Sequence, residues 1–223
     1  MNQLKKYFPI LSFFIVFALL KFTPLNTTEV KPSNVIIIVF IYVIGFLSTL
    51  FVTKDWIKNQ WKEFKTHKWT KYLWILLFYI LSFVIISLTR KLILNYFDVD
   101  VPEDASSKTQ TFTFYSFIAI ILPMLAPFYE EIAFRYSLFY QNINRKFSNI
   151  IFAVISSVLF GLIHYYNFNS VVLTIPYMFI GLFYCFVYYK TRNIYYTIFT
   201  HLLVNWINVI LGIIGLVFLN MQH

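Results

Sequence analysis

The chain has 223 residues, 60% of them hydrophobic and 12% charged, with 18 Lys and Arg against nine Asp and Glu and a formal charge of +9. A soluble fold of this size could not cover so much apolar surface, and the mean hydropathy of +0.71 says the same: the solvent is largely lipid. The cations stand beside apolar runs, where they set orientation and meet anionic headgroups, so the charge does not indicate nucleic-acid binding.

In chain order, apolar runs long enough to span a bilayer predict helices over 7–22, 35–52, 72–89, 111 to beyond 135, 147–165, 171–189 and 194–219. The runs are continuously apolar rather than alternating, which disfavours a membrane β-barrel. The expectation is an all-α, polytopic transmembrane bundle of about seven helices. It forms a single integral membrane domain over 1–223, with the first three helices and their loops in 1–110. Lys5 and Lys6 before the first run resemble a signal peptide, but residues 21–24 offer no small-residue cleavage site, so an uncleaved first helix is expected.

The loops predict orientation. Lys54, Lys58, Lys62, Lys65, Lys68 and Lys71 mark the segment 54–71 as cytoplasmic, whereas 90–110 carries Asp98, Asp100, Glu103 and Asp104 and reads as translocated. Arg145 with Lys146, and Lys190 with Arg192, fall on alternate turns, giving a cytoplasmic N-terminus. A small chain rich in Ile, Phe, Lys and Asn is expected to be a multi-pass protein of a bacterial plasma membrane. Trp56, Trp61 and Trp69 interleave with the six lysines, as in an amphipathic segment lying in the inner interface or a solvated helical linker. The lone Cys185 excludes an intrachain disulfide and any multi-cysteine zinc site.

Seven of the nine acidic residues lie in polar segments, and the other two, Glu130 and Glu131, follow the apolar run 117–126. A charge inside the membrane costs about 2.5 kcal/mol or more on insertion scales, so such residues are functional by default. On a helix Glu131 and Arg135 are i, i+4 neighbours and can pair. Glu130 points about 100° away, free to face a cavity as a general base. Two histidines, His164 and His201, also stand in apolar runs, and Asn205 shares a helix face with His201. Each would be expensive facing lipid alone, so the five are expected to converge, unless they form only an interhelical salt-bridge cluster. Counting rise per residue, Glu130 and His164 stand about 20–27 Å from the hairpin at 142–146 and His201 about 13 Å from Arg192. The hairpin must therefore project below the other turn if all are to meet.

These residues carry a resemblance to the CPBP family of intramembrane proteases, which takes in CAAX prenyl-protein endopeptidases and bacteriocin-processing or abortive-infection-type (Abi) proteins. The family motifs Glu-Glu-x-x-x-Arg, Phe-x-x-x-His and His-x-x-x-Asn read here as Glu130-Glu131 to Arg135, Phe160 to His164, and His201 to Asn205. The resemblance covers roughly 123–208. Members often have glycine after the motif arginine, where this chain has Tyr136. The resemblance implies that Glu130 and His164 activate a water against a peptide carbonyl. It further implies that His201 and Asn205 bind the developing oxyanion, that Glu131 and Arg135 hold the site in shape, and that Phe160 packs beside it.

No cofactor is favoured. Zinc is the competing reading, its ligands then being Glu130, His164 and His201, but the pattern is not H-E-x-x-H. The expected partners are membrane lipid and a peptide or membrane-protein substrate, with peptide processing or immunity favoured over CAAX cleavage. The competing functions are a non-enzymatic scaffold or immunity protein and, less favoured for want of repeats or paired broken helices, a proton-coupled transporter.

Overall fold

The computed structural model describes residues 3–22, 32–97, 124–144 and 146–220, which are helices joined by turns, bends and short irregular links. The elements are α1 (Gln3–Phe22), α2 (Pro32–Thr66), α3 (Thr70–Tyr96) and α4, which is α-helical over 124–131 and π-wound over Ile132–Phe139. They continue with α5 (Lys146–Leu162), the single turn α6 (Tyr165–Phe168), α7 (Ile175–Thr191) and α8 (Ile194–Asn220). The chain is an all-α bundle. Among the described residues four stretches are long and apolar enough to cross a membrane, namely 36–66, 70–96, 172–191 and 194–211, while α5 contributes the shorter apolar run 147–162. The start of the span expected from 111 and the acidic loop after Phe97 lie outside the described residues.

Several boundaries differ from the sequence expectation for identifiable reasons. No break separates the second span from the lysine-rich segment: α2 runs on to Thr66, because nothing between Gly45 and Thr66 is a glycine or proline. The tryptophans of the extension do not share one outward face. Trp56 packs on Tyr136 (ring centroids 4.4 Å apart) and Trp61, though exposed, on Tyr195 (4.8 Å), while Trp69 is the most exposed of the three. At the end of α2 the buried Lys71 donates to the Phe64 carbonyl (2.9 Å) and the Lys65 carbonyl (3.4 Å), supplying donors to a helix end that has none of its own.

The extension of α2 also positions α8. Arg192, left-handed at φ 54°, ends α7, and Asn193 turns the chain by donating from Nδ2 to the Gln60 carbonyl (2.8 Å) and accepting at Oδ1 from the Tyr195 N–H (3.1 Å). Gln60 Oε1 accepts from the Ile194 N–H at 2.9 Å, so one α2 residue caps the first turn of α8. His201 follows seven residues later, about two turns up.

The π stretch of α4 reduces the expected mismatch in depth on the Glu130 side. A π turn holds more residues than an α turn and climbs less per residue, so Glu130 stands closer to the hairpin than an α count allows. The two turns lie near the same level, with Arg192 Nη1 donating to Asn144 Oδ1 at 3.4 Å. Carbonyls displaced by the wide winding find side-chain donors: Ser156 Oγ donates to Phe134 O (3.1 Å) and Gln141 Nε2 to Tyr136 O (3.2 Å).

One aromatic cluster joins α1, α4, α5 and α7, with Phe13 edge-on to Tyr129 (5.1 Å) and Phe134 (5.3 Å), and Ser12 Oγ 2.8 Å from Tyr129 Oη. Cys185 belongs to the core, 1% exposed, not to the lipid face.

Candidate active site

The most deeply held charges in the described bundle are Glu131 and Arg135, both fully buried, with Arg135 Nε 3.1 Å from Glu131 Oε2. The guanidinium lies over the Phe160 ring, 4.6 Å from its centroid, and 5.4 Å from that of Tyr184, while Nη2 donates to the Gly181 carbonyl at 3.3 Å. Weak hydration of guanidinium suits it to this aromatic cage, where an ammonium would lose more.

On its other side Glu131 engages His201, whose Nδ1–H donates to Oε1 at 3.1 Å. A proton on Nδ1 leaves Nε2 as the open nitrogen of the neutral ring, and this atom lies 3.8 Å from Glu130 Oε2. Glu130 Oε2 makes no hydrogen bond among the described residues. The two adjacent glutamates thus occupy different positions, one locked in an ion pair and the other facing a cavity.

That cavity, of about 690 Å³, is walled by α1, α2, α3, α4, α7 and α8 together with the turn after α5. Glu130, His164 and Asn205 line it; His201, Glu131, Arg135 and Phe160 lie behind its wall. Most of the remaining lining is aliphatic or aromatic, including Phe13, Phe17, Tyr42, Tyr79, Phe83 and Tyr177, and Arg90 is the one Lys or Arg among the lining residues. A mostly apolar pocket with few convergent polar groups is the usual form of a binding site.

His164 departs from its predicted place inside a helix. It lies in the turn between α5 and α6, its N–H donating to the Gly161 carbonyl (3.0 Å) and its Nδ1–H to the Phe160 carbonyl (2.9 Å). Its other nitrogen, Nε2, is thereby the acceptor. The ring stacks on Tyr177, with centroids 4.1 Å apart and planes 18° apart, which fixes its orientation. Phe160 sits beside both histidines, 5.4 Å from His164 and 5.6 Å from His201.

The seven motif residues therefore gather on α4, α5 with its following turn, and α8. Sequence reasoning did not single out Tyr177, Tyr184 or Arg90. Tyr184 packs on His201 at 5.2 Å, yet the chain has 17 tyrosines and nothing marks these two. Tyr136, the residue after the motif arginine, is 1% exposed and packs against Trp56, so α2 fills the place beside the motif.

Among the described residues no group of three or more His, Cys, Asp or Glu comes together so as to hold a metal ion. Both histidines use Nδ1 on protein acceptors, which leaves each with Nε2 as its open nitrogen.

No curated protein and no solved structure matches the chain. Residues 112–207 match the family model described as type II CAAX prenyl endopeptidase Rce1-like. All three motifs fall within that segment, so this part of the chain is similar to the CPBP/CAAX proteases.

Proposed function

We propose that the protein is an intramembrane endopeptidase in which Glu130 and His164 activate a water for attack on a peptide carbonyl. The observation that carries this reading is that Glu130, His164 and Asn205 line one largely apolar cavity, while Glu131, Arg135 and His201 form a braced layer directly behind Glu130. Water bound between Glu130 and His164 Nε2 loses a proton to the Glu130 carboxylate as its oxygen bonds to the carbonyl carbon. The tetrahedral intermediate then collapses, breaking the C–N bond as that proton passes to the departing amine. Asn205 is the wall residue suited to donate to the oxyanion.

His201 serves the reaction through Glu130. Its Nε2 can take up a proton without breaking the Nδ1 bond to Glu131, so it stabilises the Glu130 carboxylate when that group is charged. The resemblance also gives it a direct oxyanion bond, but its position behind the wall favours this supporting role.

The substrate is a membrane-borne peptide or protein segment, since the cavity is walled by helices of spanning length. Among such substrates, leader or signalling peptides in bacterial peptide processing or immunity are preferred over a prenylated C-terminus. The test is cleavage of membrane-peptide candidates, prenylated ones included, by reconstituted protein, with Glu130→Gln and His164→Gln in parallel. Both variants are expected to lose about 10²- to 10⁴-fold in rate. Full cleavage by a correctly inserted Glu130→Gln protein would overturn the mechanism.

A further inference from the structure

A second groove lies on the opposite side of the catalytic layer from the cavity, and none of the site residues lines it. Leu50, Ile57 and Trp61 of α2, Phe128 of α4, and Tyr195 and Phe199 of α8 form its walls, and Lys54 and Lys58 complete its lining; its volume is about 480 Å³. Lys54 and Lys58 are i, i+4 on α2, so their side chains rise from one face. Both are exposed, and among the described residues neither takes part in an ion pair and no carboxylate lines the groove. Lys54 extends over the Phe51 ring, its Nζ 5.0 Å from the centroid.

We infer that this groove binds one anionic phospholipid, with the headgroup phosphate between Lys54 and Lys58 and an acyl chain along Leu50, Ile57, Phe128 and Phe199. The charge pattern selects the occupant. Here α2 passes from a continuously apolar stretch to one carrying lysines at 54, 58 and 62, which is where a span meets the headgroup layer. From Lys58 to Leu50 the helix falls about 12 Å, the depth from phosphate into the hydrocarbon. An apolar wall with unpaired cations at one end fits an amphiphile bearing a single anionic head. An acidic soluble peptide would leave the aromatic wall uncovered, and a second copy of the chain would set lysines against lysines.

The groove is also joined to the catalytic layer. Phe128 precedes Glu130 by two residues and Phe199 precedes His201 by two, so a bound acyl chain packs against both helices that present those groups.

The experiment is native mass spectrometry of the full-length protein released from detergent after equilibration with phosphatidylglycerol or phosphatidylcholine of identical chains. The variants are Lys54→Gln/Lys58→Gln, Ile57→Trp, and Lys91→Gln/Lys190→Gln as a charge-matched control. Wild type is expected to retain one phosphatidylglycerol in preference to phosphatidylcholine. Each headgroup-level lysine is worth roughly fivefold, so the first variant loses on the order of 30-fold of that preference while the control keeps it. Ile57→Trp, which fills the groove but leaves both lysines, is expected to lower retention of either lipid. Equal loss in the control, or undiminished retention in both groove variants, would overturn the assignment, as would a protein dimer or a bound acidic peptide in place of lipid.

Discussion

His201 holds Glu131 through Nδ1 at 3.1 Å, and the same ring turns Nε2 toward Glu130 at 3.8 Å. One imidazole therefore spans two carboxylates, of which only the second reaches the cavity. Under the proposed mechanism the chemistry falls to one member of an adjacent pair and the bracing to the other, and the two can be separated by mutation.

Glu131→Gln leaves the Arg135 guanidinium fully buried without its counter-charge, and removing one partner of a buried pair costs about 3–5 kcal/mol. Thermal unfolding in detergent should show a marked loss of stability. Glu130→Gln should unfold near the wild-type temperature and still lose turnover. Equal melting temperatures for the two variants would contradict the division.

His201→Gln retains a donor toward Glu131 but cannot carry a proton at the Nε2 position. A residue acting through Glu130 should matter less than Glu130 itself, with a loss of about 10- to 100-fold, comparable to other groups that orient a reacting side chain. The loss should fall on kcat with little change in KM. A KM effect alone would mean that His201 contacts substrate directly.

Close helix contacts set a third expectation. A Cβ on Gly161 would stand 2.8 Å from the Met178 backbone nitrogen, and one on Gly181 2.9 Å from the Ser157 Cα. Backbone cannot move aside cheaply, so Gly161→Ala and Gly181→Ala should each destabilise by about 1–3 kcal/mol. At Gly45 the obstacles are the side chains of Val16 and Tyr129, and the gain in helix propensity, roughly 1 kcal/mol, offsets part of the crowding. Thermal denaturation of the three variants should rank Gly45→Ala as the mildest.

The proposed water activation by Glu130 and His164 needs no metal, so proteolysis should survive prolonged incubation with a strong chelator, and elemental analysis of the active protein should find metal well below one equivalent. Activity lost to the chelator and restored by zinc would favour the zinc reading on Glu130, His164 and His201 instead.

Much of the site was legible because charge is conspicuous in an apolar chain. Two glutamates, an arginine and two histidines stand out where each would be costly in lipid, and the Glu131 and Arg135 pairing followed from helical spacing alone. What escaped was whatever depended on winding and on neighbours. Nothing in Ile132–Phe139 announces a π-helix, since the displaced carbonyls are satisfied by Ser156 and Gln141 from elsewhere or beyond its end. The helix pattern continues through His164, but its side chain bonds back to Phe160 and the chain turns there. The first three helices looked merely hydrophobic; yet α1 and α3 wall the cavity, and Gln60 of α2 caps the helix that carries His201. Tyr177 and Tyr184 could not be chosen from many tyrosines without knowing which helices cross.

The paired glycines have a mechanical consequence. Gly161 of α5 lies against the backbone of α7, and Gly181 of α7 lies against the backbone of α5, so the two helices touch main chain to main chain at two points. Rods in such contact slide or separate only by losing that fit along their whole length, and they behave as a single stiff plate. The plate carries Phe160 and Tyr184, which cage Arg135, and Tyr177, which orients His164. Breathing of the cavity therefore falls to α1 and α3, whose share of the wall is side chains such as Phe17, Leu20, Tyr79 and Phe83, free to change rotamer while the plate keeps its shape.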